Sequence, residues 1–327
     1  MKPSMLVLIF IFIFALLGAR ICPVLAKAPT TAKIVFGASR DGNRDLYLMN
    51  PDGSDQINIT NHPADDIYGA WSPTGEQILF ASDRDKGYDL YLMDPDGQNV
   101  RRVFGKSAHR EAPAWSPDGK QIAYTRREQG KRVIYIASID KKKEERLAIG
   151  SGPAWSPDGM EIAYTVKAGQ DRWEMHILNV RTRKQKVFFP PKAIPTWMGS
   201  IPAWSPRRNK LAFSWQPKVP LKTFRSEETI YTVNRDGTGL TQIVAKAGPR
   251  ATDPVWSPRA DELLYAKWKH EAKQIFKIAL NGGQPEQLTH IGSWNTPADW
   301  FDPAYALPVS PQPQLLTTTW AEVKKKE

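Results

Sequence analysis

The sequence is poor in the devices that often brace or arm a folded chain. It holds one cysteine, Cys22, in 327 residues. No intramolecular disulfide can form, so stability must come from a hydrophobic core. No Gly-x-Ser-x-Gly element is present, which removes the nucleophile elbow of a hydrolase domain. Acidic residues are in deficit: 34 Asp and Glu face 45 Lys and Arg, for a formal charge of +11. The loops Arg40-Asp41-Gly42-Asn43-Arg44-Asp45 and Asp83-Arg84-Asp85 lack EF-hand spacing and its terminal Glu, so they read as ion-paired turns rather than calcium loops.

What is present first is a leader. Lys2 is followed by the uncharged run Met5 to Ala19, too short for a comfortable membrane span, and then by Val24-Leu25-Ala26. That order predicts a signal peptide over residues 1–26, cleaved after Ala26. Ala19-Arg20-Ile21 places a charge before Cys22 where a lipoprotein signal needs small neutral residues. Loss of Lys2 and Arg20 would leave a charge of +9. The remaining roughly 300 residues suffice for one large core or two small ones. Basic runs at Lys141-Lys142-Lys143, Arg181 to Lys186 and Lys324-Lys325-Lys326 suit either a solvated surface or attraction to acidic polymers. Export argues against nucleic acid as a partner.

The strongest signal is a repeat. Trp-Ser-Pro begins at Trp71, Trp115, Trp155, Trp204 and Trp256, and a degenerate copy, Trp300-Phe301-Asp302-Pro303, follows. The steps between tryptophans are 44, 40, 49, 52 and 44 residues, the period of a propeller blade. After each Ser-Pro comes an apolar strand such as Ile78-Leu79-Phe80 or Ile162-Ala163-Tyr164. A second such strand follows, as in Leu90-Tyr91-Leu92, then a turn such as Asp94-Pro95-Asp96-Gly97. A short closing strand completes the unit, as in Ile57 to Thr60 or Glu286 to Thr289. Pro presets the turn, Asp bonds its own backbone, and Gly takes the positive φ. Each Trp can wedge between blades, its full burial contributing about 4–6 kcal/mol before entropy.

The ends complete each other. Ile34-Val35-Phe36 enters at the second strand position, and Trp300 stops at the first. This predicts an all-β, six-bladed propeller of four-stranded antiparallel blades over residues 33–303, with the C-terminal strand completing the N-terminal blade and leaving no open edge. Residues 304–327 form a Pro-containing tail (Pro308, Pro311, Pro313) that either frays or docks.

The Trp-Ser-Pro-Asp-Gly turn, the Ile-Ala-Tyr strand and the Asp94-Pro95-Asp96-Gly97 turn resemble the TolB-like, WD-repeat-like propeller family from about Lys33 to about Asp302. The resemblance implies the fold, and implies function far less. Members such as TolB carry an α/β domain before the propeller. Here only Lys27 to Ala32 separates the expected cleavage site from the first blade, so a partner link through that domain is not expected. Some similar propellers are metal-dependent lyases of acidic sugars, and others accompany peptidase domains.

Short uniform turns occupy one face of such a propeller, and long variable loops the other, where binding groups usually sit. The expected long-loop face carries Trp197, Met198, Trp215, Phe224, Arg225, Trp268 and Trp294, with Arg126 and Arg127; aromatic and Arg side chains are common binding anchors. They could equally pack the loops onto the blades. His62, His109, His270 and His290 share that face and, with Asp65 or Asp66, are weak candidates for a metal. His176 replaces a strand tyrosine and reads as structural. The expectation is a periplasmic or secreted, monomeric, non-enzymatic scaffold that needs no cofactor and binds a protein or an acidic envelope polymer. The alternatives are a metal-dependent lyase or hydrolase of acidic polysaccharide, and a purely structural envelope component.

Overall fold

The structure, a computed structural model, describes residues 27–40, 42–140, 143–169, 172–190, 196–207, 209–217, 227–245, 249–269 and 271–308. The expected leader and most of the tail lie outside them. The fold is an all-β propeller with four-stranded antiparallel blades. One blade runs Asp66–Trp71, Ile78–Ser82, Asp89–Met93 and Arg101–Arg102 from inside outwards. The same order recurs from Arg110–Trp115 to Glu144–Ile149, and from Ser151–Trp155 to Gln185–Phe189. It recurs again from Ala203–Trp204 to Thr241–Gln242, with Thr196–Trp197 adding a short pairing to Lys210–Pro217.

The chain ends meet in the remaining, eight-stranded sheet. Ala251–Trp256, Glu262–Lys269, Ala272–Ala279 and Glu286–Gln287 form one half. Trp294–Phe301, Lys33–Ser39, Arg44–Met49 and Ile57–Asn58 form the other. Ile34 lies opposite Trp300 in the antiparallel pairing of Lys33–Ser39 with Trp294–Phe301. A single parallel pair, Lys273 with Trp294, joins the halves.

The middle strands are apolar on both faces because each blade is sandwiched between neighbours. Every residue of Ile78–Ser82 and of Asp89–Met93 is buried. The repeat tryptophans fill the gaps: Trp115 donates its indole N–H to the carbonyl of Ala70 at 3.3 Å, and Trp256 donates to Ala203 at 3.0 Å. Both acceptors lie on the preceding blade's inner strand. The Ser-Pro turns show why serine recurs. Its hydroxyl accepts from the strand that leaves the turn, Gln121 N to Ser116 Oγ at 2.9 Å and Glu161 N to Ser156 Oγ at 2.9 Å. The same hydroxyl donates to Asp118 or Asp158. Gly75, at φ +74°, has no room for a side chain, since a Cβ there would lie 2.2 Å from the Phe301 ring.

Residues 304–308 do not leave the propeller at once. Asp302 caps a single 3₁₀ turn, Pro303–Tyr305. Leu307 N then donates to Pro73 O at 2.9 Å, and Ala306 packs on the core beside Trp71 and Phe301.

Candidate functional site

The inner strands line a channel-like cavity of about 770 Å³. Its wall is built from the most regular part of the repeat, yet its shape comes from an irregularity. In four inner strands the pairing skips two residues: after Ile67, Glu111, Ser151 and Thr252. The first skipped residue in each takes positive φ: Tyr68 (58°), Ala112 (51°), Gly152 (63°) and Asp253 (57°). Such bulges re-aim side chains, and strained non-glycine residues concentrate at functional positions. Tyr68 and Asp253 both line the channel, and Tyr68 is 42% exposed.

Around them, at the long-loop end, charge and aromatic surface converge. Lys273 Nζ donates to Asp253 Oδ2 at 2.6 Å and lies 5.5 Å from the Trp294 ring centre. The Arg44 guanidinium lies 5.8 Å from the same ring. Arg44 is held by Asp65, through its backbone N–H at 2.9 Å and Nε at 3.0 Å, and by the Tyr88 hydroxyl at 2.7 Å. Trp294 is thus half-buried between two cations, each carrying its own carboxylate. Burial opposes ionisation of Asp65, but the Arg44 hydrogen bonds hold it below the usual carboxylate range. Burial, with Asp65 close by, pushes Tyr88 up to about 12. Loss of bulk hydration inside the channel, reinforced by Glu111 and Asp253, raises Tyr68. Both phenols therefore stay protonated: Tyr88 donates to Asp65 Oδ2 at 3.3 Å, and Tyr68 can donate to a ligand.

The other expected site residues divide. Trp215 is a correction: it sits in the strand Lys210–Pro217, 8% exposed, edge-on to Phe189 at 4.8 Å and to Tyr231 at 5.2 Å. The strand runs further than the aromatic pattern suggested and carries the ring into the core. Met198, 4% exposed, joins the same cluster. Trp197 lies edge-on to Trp173 at 5.3 Å, and Trp268 is half-buried within Glu262–Lys269. Arg126 and Arg127 also fall within a strand, Gln121–Glu128. Phe224, Arg225 and His270 lie outside the described residues.

His62, His109, Asp65 and Asp66 are each engaged in separate contacts. His62 Nδ1 accepts from Ala64 N at 3.0 Å. His109 packs edge-on to Tyr88 at 5.8 Å, with Nε2 at 3.7 Å from Glu111. His290 is exposed, Asp65 is held by Arg44, and Asp66 by Arg84 at 3.0 Å. Among the described residues no three His, Cys, Asp or Glu side chains form a metal-holding group. His176 Nε2 lies 2.9 Å from Glu174.

One channel residue was invisible to the repeat reading. The position before each repeat Trp is Ala70, Ala114, Ala154, Ala203 or Val255, but in the last copy it is Asp299. All six line the channel. Asp299 accepts from Trp71 N and Trp300 N, each at 2.8 Å. Burial pushes its carboxyl up to about 6 despite those two hydrogen bonds. Lining up the degenerate copy by its Trp alone would have exposed the substitution.

The repeat, the blade order and the channel are those of a known family. The family model described as the TolB beta propeller domain matches residues 15–152, 84–197 and 146–308. The chain belongs to that family. Among solved structures, it is similar to TolB from Acinetobacter baumannii at 17% identity and a TM-score of 0.69, covering 82% of this chain and 66% of that one. The chain thus spans slightly less than two thirds of that TolB. It is similar to a TolB candidate from Agrobacterium tumefaciens at 16% identity and a TM-score of 0.63, covering 86% of this chain and all of that one. An oligogalacturonate lyase solved with manganese is 15% identical, with a TM-score of 0.51, and covers 80% of this chain and 74% of that one. At such identities the likeness speaks for the fold alone. No curated protein matches the sequence.

Proposed function

We propose that this TolB-family chain is an exported, non-enzymatic binding scaffold whose partner, a protein or an acidic envelope polymer, engages the long-loop mouth of the channel. The propeller is read as six-bladed and closed, with Trp294–Phe301 completing the blade begun by Lys33–Ser39. The leader pattern over residues 1–26 supports export to the periplasm or the exterior. Among the described residues no helix is long and apolar enough to cross a membrane.

The observation that carries the reading is the mouth itself. Trp294 is held between Arg44 and Lys273, and Tyr68 projects beside them from a strained bulge. Aromatic and cationic side chains on a rigid rim favour binding, because little side-chain entropy remains to be lost. Paired carboxylates at Asp65 and Asp253 keep the cations oriented, and a partner's acidic groups can share them.

Affinity capture from an envelope extract tests the reading, using the chain beside a Tyr68→Ala/Trp294→Ala variant of matched folding. Loss of one partner from the variant alone supports it. Equal capture by both overturns the placement at the mouth, and bound metal with chelator-sensitive polysaccharide cleavage would overturn the scaffold reading.

A further inference from the structure

The channel wall breaks its own symmetry at one point. At the level just before the repeat tryptophans, five inner strands present Ala70, Ala114, Ala154, Ala203 and Val255. The sixth presents the carboxylate of Asp299. The next level is a ring of the six repeat tryptophans, all of which line the same cavity. At the level of Asp299 a single carboxylate stands among aliphatic side chains.

That carboxylate has no countercharge. Its two hydrogen bonds come from backbone N–H groups, Trp71 and Trp300. Among the described residues no cation pairs with it, whereas Asp253, also at the channel, has Lys273 at 2.6 Å. Two accepted bonds leave lone pairs of the carboxylate unused. An isolated anion in such surroundings is costly unless it is protonated or paired. Its raised pKa, near 6, is the response of a group lacking a countercharge. The blade itself does not require a carboxylate at this position, because five equivalent positions are built with Ala or Val.

We propose that the channel is a binding site for a slender cationic group, a primary ammonium on an apolar stem, which pairs with Asp299 inside the ring of repeat tryptophans. An apolar stem would replace channel water beside the Ala and Val side chains of that level, while the ammonium takes the lone pairs of Asp299 that the two backbone N–H groups leave unused. The approach is from the long-loop mouth. The opposite end is narrowed by Pro303–Leu307, where Leu307 is bonded to Pro73 and Tyr305 lies under Arg207 at 4.2 Å. The mouth does not repel a cation, because Arg44 and Lys273 are each paired to a carboxylate. This inference rests on the scaffold reading only in using the same entrance; it names what the channel beyond that entrance would accept.

Titration of the full chain at pH 7.5 with n-butylammonium, with n-butanol as the neutral control, tests it by calorimetry and tryptophan fluorescence. A Gly-Lys-Gly peptide run in parallel separates a peptide-borne amine from a free one. The wild type is expected to bind n-butylammonium at least tenfold more tightly than n-butanol. Asp299→Asn, which keeps the shape, and Asp299→Ala, which restores the residue of the other repeats, are both expected to remove that preference. Equal binding of amine and alcohol by the wild type, or an undiminished preference in either folded variant, overturns the proposal. Failure of partner capture at the mouth leaves this titration unaffected, so the two readings fail separately.

Discussion

Tryptophan serves two ends in this chain, and burial separates them. Trp215 is packed among Phe189, Phe213 and Tyr231, so truncation leaves a cavity. Trp215→Ala should cost about 3–5 kcal/mol, read from denaturant unfolding. Trp294 is half-buried at a rim and flanked by side chains that can relax, so Trp294→Ala should cost less than half as much while weakening binding. Equal losses for the two variants would remove the distinction between core and rim. Asp299 makes a prediction in pH. Its folded pKa, near 6, lies above the usual 3.8. The folded state therefore holds the proton more tightly, and stability falls as pH rises between about 4 and 6. Asp299→Asn is free of that loss. Its amide has one acceptor for the two N–H groups, which lowers its melting temperature by an offset independent of pH. Its difference from the wild type should therefore shift in the variant's favour between pH 4 and pH 6.5, and a constant difference across that range would contradict the assignment.

At the scale of elements, the blade was legible because its turn chemistry is repeated almost verbatim. Ser-Pro-Asp-Gly fixes a hairpin wherever it occurs, and Ser116 and Ser156 tie both ends of theirs. Removing that tie by Ser156→Ala should cost about 1–2 kcal/mol, because Glu161 N loses its acceptor inside the sheet. An unchanged unfolding midpoint would assign the recurrence of serine to something other than this bond. The inner-strand bulges were not legible. Tyr68, Ala112 and Asp253 take positive φ without being glycine, so no composition rule marks them. The reach of the middle strands was also hidden: Trp215, Trp268, Arg126 and Arg127 looked like loop residues, yet the hairpins carry them within strands. Convergence of His62, His109 and His290 depended on loop paths that sequence does not encode locally, and each histidine is engaged elsewhere or exposed.

At the scale of the molecule, the chain ends share one sheet, with Lys33–Ser39 lying between Trp294–Phe301 and Arg44–Met49. Sequence made this visible because a strand missing at one end reappears at the other. The mouth follows from that seam, since Trp294 from the last strand meets Arg44 from near the first. Binding is proposed to occur at this mouth. Its most direct measurement compares partner capture by the wild type, Tyr68→Ala/Trp294→Ala, and an outer-rim control, Ile57→Ala/Val187→Ala, all confirmed as folded. Ile57 and Val187 are exposed apolar residues of outer strands, 61% and 51% accessible. The mouth variant should lose affinity at least tenfold, and the rim control should keep wild-type affinity. Loss in the rim control with the mouth variant unaffected would place the partner on the outside of the propeller and contradict the account.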